Sequence, residues 1–206
     1  MNKIDNNNQA AIIILHEIYG INPFIKTLAA EYQQQGFAVY CPNLLKRAAF
    51  SYAEAQSAYD YFNREVGFAC YQTIVAQLRQ LKQTYRQVFI MGFSVGATIA
   101  WRCSETPWCD GIIGCYGSRI RDYLELQPAC PVLLLFAEQD SFDVPAVVGQ
   151  ISEKTRVQVY QFQARHGYLD HGSAFYDEEQ SQKSKMKIRE FLNNIQNASD
   201  EGFVKP

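Results

Sequence analysis

The sequence predicts an α/β protein: a mostly parallel sheet of about six to seven strands with helices on both faces. Three observations predict it. Short apolar runs alternate with longer stretches of helical periodicity along nearly the whole chain. Several runs, such as AIIIL at 11–15 and VLLLFA at 132–137, are apolar at consecutive positions, as strands buried on both faces are. Gly, Pro or Asn punctuates many of the boundaries. In such sheets ligands bind outside the carboxyl ends of the strands. The residues just after each strand are therefore the candidates for function.

Residues 11–15 read as the first strand. Asn22 is a cap, Pro23 a first helical residue and Gly36 a stop, which predicts a helix over 23–35. FAVYC at 37–41 is the second strand. Helical spacing follows over 53–61 and 68–84, where Ile74, Val75, Leu78 and Leu81 share a face. QVFIM at 87–91 is a strand and 95–103 a helix. Strands are predicted at 111–116 and 132–137, a helix at 145–153, and an alternating strand at 157–162. An amphipathic helix over 181–194 closes the fold, with Met186, Ile188, Phe191, Leu192 and Ile195 on its apolar side. The reading is one domain over 1–206, with its core at 11–195, a polar N-terminal 1–10 and a tail at 196–206.

Composition narrows the function. The 206 residues are 48% hydrophobic, with 13 Tyr and 13 Phe, enough for a sizeable core. The net charge is −2 and no Lys/Arg-dense stretch occurs, which argues against nucleic-acid and membrane-surface partners. No apolar run approaches the roughly 18 residues of a membrane span. The first fifteen residues carry one Lys and a short apolar run with no small-residue cleavage site, which points to a cytoplasmic protein. The 6 cysteines form no C-x-x-C pair and no zinc-like spacing with His. They read as buried reduced thiols, with Cys103, Cys109 and Cys115 on a helix, a loop and a strand, and no metal or cofactor is expected. Oligomeric state is left open.

The chemistry concentrates after QVFIM, in Gly92-Phe93-Ser94-Val95-Gly96. This is G-x-S-x-G between a strand and a helix. Such a turn is too tight for side chains two before and two after the serine. It holds the hydroxyl proud of the sheet and aims the next backbone N–H, that of Val95, at a developing oxyanion. A serine needs a base, and the base needs an acid to orient it. In the chain order Ser, acid, His, the base is His166 or His171, and His166 is preferred because it sits closer to the end of the last strand and precedes a glycine, which allows a tight loop over the serine. The acid should follow the strand at 132–137. Asp140 is preferred there over Glu138 and over Asp143, whose alternative role is to cap the next helix.

Taken together, the motifs resemble those of the dienelactone hydrolase family of the α/β-hydrolase superfamily. His16-Glu17-Ile18-Tyr19-Gly20-Ile21-Asn22 resembles the family's Q/H-E-I-F-G-x-N. Gly36–Leu44 resembles its G-Y-x-x-x-x-P-D-L. Residues 112–117 look like its A-x-x-x-Y-G strand end, and Ala137-Glu138-Gln139-Asp140 and Arg165-His166-Gly167-Tyr168 look like its G-x-x-D and H-G-F. The resemblance implies a single-domain α/β-hydrolase fold without a large lid. It implies Ser94 as nucleophile, Asp140 as acid and His166 as base, with backbone N–H groups of Val95 and Ile18 as the oxyanion hole. Glu17 and Tyr116 become supporting residues; Glu17 is expected near Ser94, positioning the Ile18 loop by hydrogen bonding.

Two departures shape the expected substrate. Ser94 stands where the family usually carries Cys. Asp170 stands four residues after His166, where relatives that take anionic dienelactones place an arginine, while Arg47 and Arg64 lie near the region of a second. An aspartate facing a carboxylate would repel it, which favours a small neutral ester. Phe50, Tyr52, Tyr59, Phe62 and Tyr116 are candidates to line an apolar pocket. Thioester or peptide cleavage on the same triad, or ligand binding without turnover, are the alternatives.

Overall fold

In the computed structural model, which describes residues 10–201, six strands pair in parallel in the order β2-β1-β3-β4-β5-β6. They are β1 (Ala10–Leu15), β2 (Ala38–Tyr40), β3 (Gln87–Phe93), β4 (Gly111–Cys115), β5 (Val132–Gln139) and β6 (Val157–Arg165). The helices are α1 (Pro23–Gln34), α2 (Ala55–Tyr61), α3 (Tyr71–Leu81), α4 (Val95–Arg102), α5 (Val144–Ser152) and α6 (Glu178–Glu201).

The strand pattern divides the core into two layers. Side chains of a strand alternate between faces. Ile12 and Ile14 of β1 thus pack with Phe24 and Leu28 of α1 and Phe191 and Leu192 of α6. Ile13 and Leu15 face the other way, toward Leu78 of α3, Trp101 of α4 and Ile151 of α5. The whole of β1 is buried, which is why it reads as a continuous apolar run. Each such side chain contributes about 1.5–3 kcal/mol on burial.

Local chemistry sets the ends of the elements. Asn22 Oδ1 accepts the Ile25 N–H at 3.1 Å and caps α1, and Gly36, at φ +91°, ends it in a left-handed turn. Asp143 Oδ1 accepts the Ala146 N–H at 3.0 Å and caps α5. Several boundaries differ from the sequence reading. The helix expected over 53–61 begins as a 3-10 turn at Tyr52–Glu54 and ends in a π-turn at Phe62–Val66, broken by Gly67 at φ +61°. The last helix starts at Glu178 because Asp177 accepts the Gln180 N–H at 3.0 Å, a cap that the apolar periodicity does not report. β3 and β6 run two and three residues past the predicted ends, since Gly92 and Phe93 keep pairing with Gly114 and Cys115, and Arg165 pairs with Gln139.

Those extensions place Ser94 and His166 at the first position beyond their strands. All six cysteines are free thiols, with Cys103, Cys109, Cys115 and Cys130 buried. Among the described residues no helix is long and apolar enough to cross a membrane. The first nine residues of the expected polar N-terminal segment, and 202–206 of the tail, lie outside the described residues.

Candidate active site

Ser94 adopts φ +52° and ψ −114°, a backbone conformation that an L residue holds only when its surroundings impose it. The surroundings are a backbone crossing. A Cβ on Gly92 would lie 2.2 Å from Gly96 O, and a Cβ on Gly96 would lie 2.4 Å from Leu15 O and 2.7 Å from His16 O. Strand β3, helix α4 and the end of β1 meet there with no room for a methyl group. The Ser94 N–H donates to Cys115 O at 3.0 Å, which ties the turn to β4.

The carboxyl ends of β3, β5 and β6 bring three side chains into one line. Ser94 Oγ lies 2.9 Å from His166 Nε2, and His166 Nδ1 lies 2.7 Å from Asp140 Oδ2. An ionised Asp140 accepts, so Nδ1 carries the proton and Nε2 is free to accept from the serine hydroxyl. The other oxygen, Asp140 Oδ1, accepts from the Ser141 N–H at 2.6 Å and from its hydroxyl at 3.1 Å. Asp140 is therefore held at both oxygens, and its side chain is 2% exposed against 34% for His166. Burial works to lower the His166 pKa, but the hydrogen bond and charge of Asp140 and the charge of Glu17 outweigh it and raise it above the ordinary 6.5.

The residues that the sequence left as alternatives go elsewhere. Glu138 is exposed, Asp143 caps α5, and His171 sits on an exposed turn against Phe24. His16 is buried and its pKa is lowered by desolvation. Its Nδ1–H donates to Glu17 O at 2.6 Å while Nε2 accepts the Leu44 N–H at 3.0 Å, so it joins the loops after β1 and β2.

Ile18 and Val95 both line the cleft at Ser94. Val95 is the first residue of α4, so its N–H has no intrahelical acceptor. The Ile18 N–H has no backbone acceptor among the described residues. Tyr116, at φ +43°, is buried with its ring 5.0 Å from the His166 ring.

Glu17 is only 6% exposed, and neither its Oε1 nor the Tyr116 hydroxyl meets hydrogen-bond geometry with any group, though the two lie close enough to shift each other's pKa. The expectation that the Glu17 carboxylate hydrogen-bonds the Ile18 loop is thus corrected. Backbone and histidine do that work: Glu17 O accepts from Gly20 N at 3.2 Å and from His16. Burial raises the Glu17 pKa; the charge of His166 and the nearby Tyr116 hydroxyl pull it down, and the charge of Asp170 adds to the rise.

The cleft has a volume of about 600 Å³. Of the aromatic residues expected to line it, only Tyr59 does; Phe50 and Phe62 are core, Tyr52 binds Asp170, and Tyr116 packs against His166. Beyond Asp140 and His166, its charged lining is Arg119, Arg121 and Arg165, with Phe175 also on the wall. Sequence reasoning missed these because they lie on a 3-10 turn after β4 and at an extended strand end. Arg119 pairs with Asp122 at 2.6 Å, and the Arg165 guanidinium lies 3.8 Å over the Phe175 ring. Arg47 stacks on Phe50 and Arg64 pairs with Glu65, and neither lines the cleft.

Asp170 also overturns an expectation. It is 1% exposed, is absent from the cleft lining, and bonds to Tyr52, Asn22 and Gly172. It does not line the cleft, so it makes no direct contact with an anion bound there, although its charge still reaches the site at Glu17. Among the described residues no group of three or more His, Cys, Asp or Glu side chains is arranged to hold a metal ion.

Comparison with known proteins agrees with this architecture. An uncharacterized protein of Bacillus subtilis, YczH, is 39% identical over 170 residues, covering 81% of this chain and 84% of that one. A carboxymethylenebutenolidase of Pseudomonas putida is 26% identical over 152 residues, which span 68% of this chain and 64% of the relative. A dienelactone hydrolase-like promiscuous phosphotriesterase from metagenomic libraries shares the fold at a TM-score of 0.71 and 17% identity, covering 94% of this chain and 89% of the other. An esterase of Pyrococcus furiosus shares it at 0.61 and 15% identity, covering 92% and 84%. The dienelactone hydrolase family model matches residues 2–196, nearly the whole sequence, and the chain accordingly belongs to that family of hydrolases.

Proposed function

We propose that this protein is a serine hydrolase that cleaves a small ester through an acyl-enzyme. One observation carries the reading: the unbroken hydrogen-bond line from Asp140 through His166 to a strained Ser94 at 2.7 and 2.9 Å. Ser94 Oγ attacks the ester carbonyl while His166 Nε2 takes its proton. Asp140 keeps the ring oriented and stabilises the imidazolium. Val95 and Ile18 N–H groups receive the oxyanion. His166 returns the proton to the leaving alkoxide, then activates water to release the acid.

The cleft's charge bears on the substrate. Asp140 is committed to His166 and Ser141, and Arg165 has no carboxylate partner among the described residues. Arg119 and Arg121 share Asp122 at 2.6 and 3.9 Å, so it is chiefly Arg165 that favours an ester carrying an anionic group, against the expectation of a neutral one. The sulfhydryls, all unpaired, suit a reducing compartment such as the cytoplasm.

The test is a panel of p-nitrophenyl esters, including acetate, butyrate and the carboxylate-ended hemisuccinate, with wild type beside Ser94→Ala. Turnover that disappears with Ser94 supports the reading. Turnover unchanged in Ser94→Ala would remove it.

A further inference from the structure

We infer that Asp170 is a positioning residue, which locks the loop carrying His166 to the loop carrying Ile18 through Tyr52 and Asn22. The inference rests on the serine-hydrolase reading, and it starts from a problem of topology. The base follows β6, an edge strand, while the oxyanion donor follows β1, and three strands stand between them. No ladder hydrogen bond joins β1 to β6. Yet both groups must address one carbonyl, and a misplacement of about 1 Å costs on the order of 10²-fold in rate.

The side chain that spans this gap is Asp170. Its Oδ1 accepts the Gly172 N–H at 2.8 Å, and its backbone carbonyl accepts the Ser173 N–H at 2.8 Å, so it sits fixed in the turn after His166. Its Oδ2 accepts the Tyr52 hydroxyl and faces Asn22 Nδ2 at 3.5 Å. These partners lie 118 and 148 residues away in sequence, one on the turn after β2 and one at the end of the Ile18 loop.

Neither partner is loose. Asn22 donates to the Tyr52 hydroxyl at 2.9 Å and spends its Oδ1 on capping α1. Tyr52 packs edge-on against Tyr19, 4.9 Å between centroids, and Tyr19 O accepts the Phe50 N–H at 2.9 Å. A Cβ on Gly172 would lie 2.9 Å from the Tyr52 hydroxyl, so the two loops meet in close contact. Asp170 and Asn22 are buried, and a buried carboxylate with fixed donors tolerates little displacement.

The test uses Tyr52→Phe, which deletes one hydroxyl and keeps the ring, with Asp170→Asn and Asp170→Ala in the full chain. The measurements are kcat and KM on p-nitrophenyl acetate, the rate of Ser94 labelling by a fluorophosphonate, and Tm. The lock predicts that Tyr52→Phe lowers kcat and labelling together by about 10-fold or more, with KM within about two-fold. It also predicts that Asp170→Asn keeps more activity than Asp170→Ala. Where Asp170→Ala does not fold, Tyr52→Phe decides. Wild-type kcat and labelling in Tyr52→Phe and Asp170→Asn would overturn the inference, as would a loss of activity that only follows loss of folded protein. A wild type that labels without needing Ser94 would instead overturn the hydrolase reading beneath it.

Discussion

In the proposed mechanism His166 is the base and works only when neutral, so the direction of its pKa shift predicts a pH profile. The shift is upward, so activity should rise with pH through a midpoint above 6.5. Asp140→Asn removes the main upward cause and leaves desolvation. The midpoint should then move down while kcat falls by about 10⁴, measured as kcat/KM against pH. Glu17 makes a separate prediction. Its pKa is raised above the ordinary 4.5 by burial, so the folded state binds a proton more tightly than the unfolded chain. Stability is then lost as pH rises from about 4.5 through the raised value. Glu17→Gln should remove that loss, gaining on the order of 1 kcal/mol over wild type at pH 8 and less at pH 5 by urea unfolding. At this scale the sequence was informative about residue types in chain order: Ser94, Asp140 and His166 lie together in the structure. It was silent on Ser141 and the arginines, because side chains that reach the cleft from a 3-10 turn or from the end of a strand leave no periodic signal.

Among the elements, the β3–α4 turn is the most constrained. Its glycines are needed because backbone atoms of Gly96, Leu15 and His16 occupy the space that a methyl group would take. Gly96→Ala should cost at least about 2 kcal/mol, read by chemical denaturation, since backbone cannot step aside as a side chain tip can. Gly149→Ala, with nothing near its Cβ position, is the control and should be neutral or slightly stabilising. Elements with a strong period or an explicit cap were legible in the sequence, such as β1 and α1. The ends of β3, β6 and α6 were not. They are set by pairing with a neighbouring strand and by the Asp177 cap, and apolar spacing carries neither.

The whole molecule decides what surrounds Ser94. A parallel sheet delivers every strand's carboxyl end to one edge, so loops distant in sequence become one site. The architecture was legible because buried parallel strands read as apolar runs. The pocket was not, because its lining depends on which loops fold over the sheet. Phe50 and Phe62 went to the core, and arginines took the place expected of aromatics. A cleft with that charge makes a long-range prediction. Turnover of p-nitrophenyl hemisuccinate should fall as salt rises from 0.02 to 0.3 M, while turnover of the butyrate ester should stay within about two-fold. Arg165→Gln should weaken the preference for the charged ester without affecting the neutral one. Intact-mass analysis after fluorophosphonate treatment decides whether Ser94 is the activated nucleophile proposed. One adduct per chain is expected, located at Ser94, lost in Ser94→Ala and strongly slowed in His166→Ala. A folded wild-type protein that gains no adduct, or gains one that persists in Ser94→Ala, would contradict it.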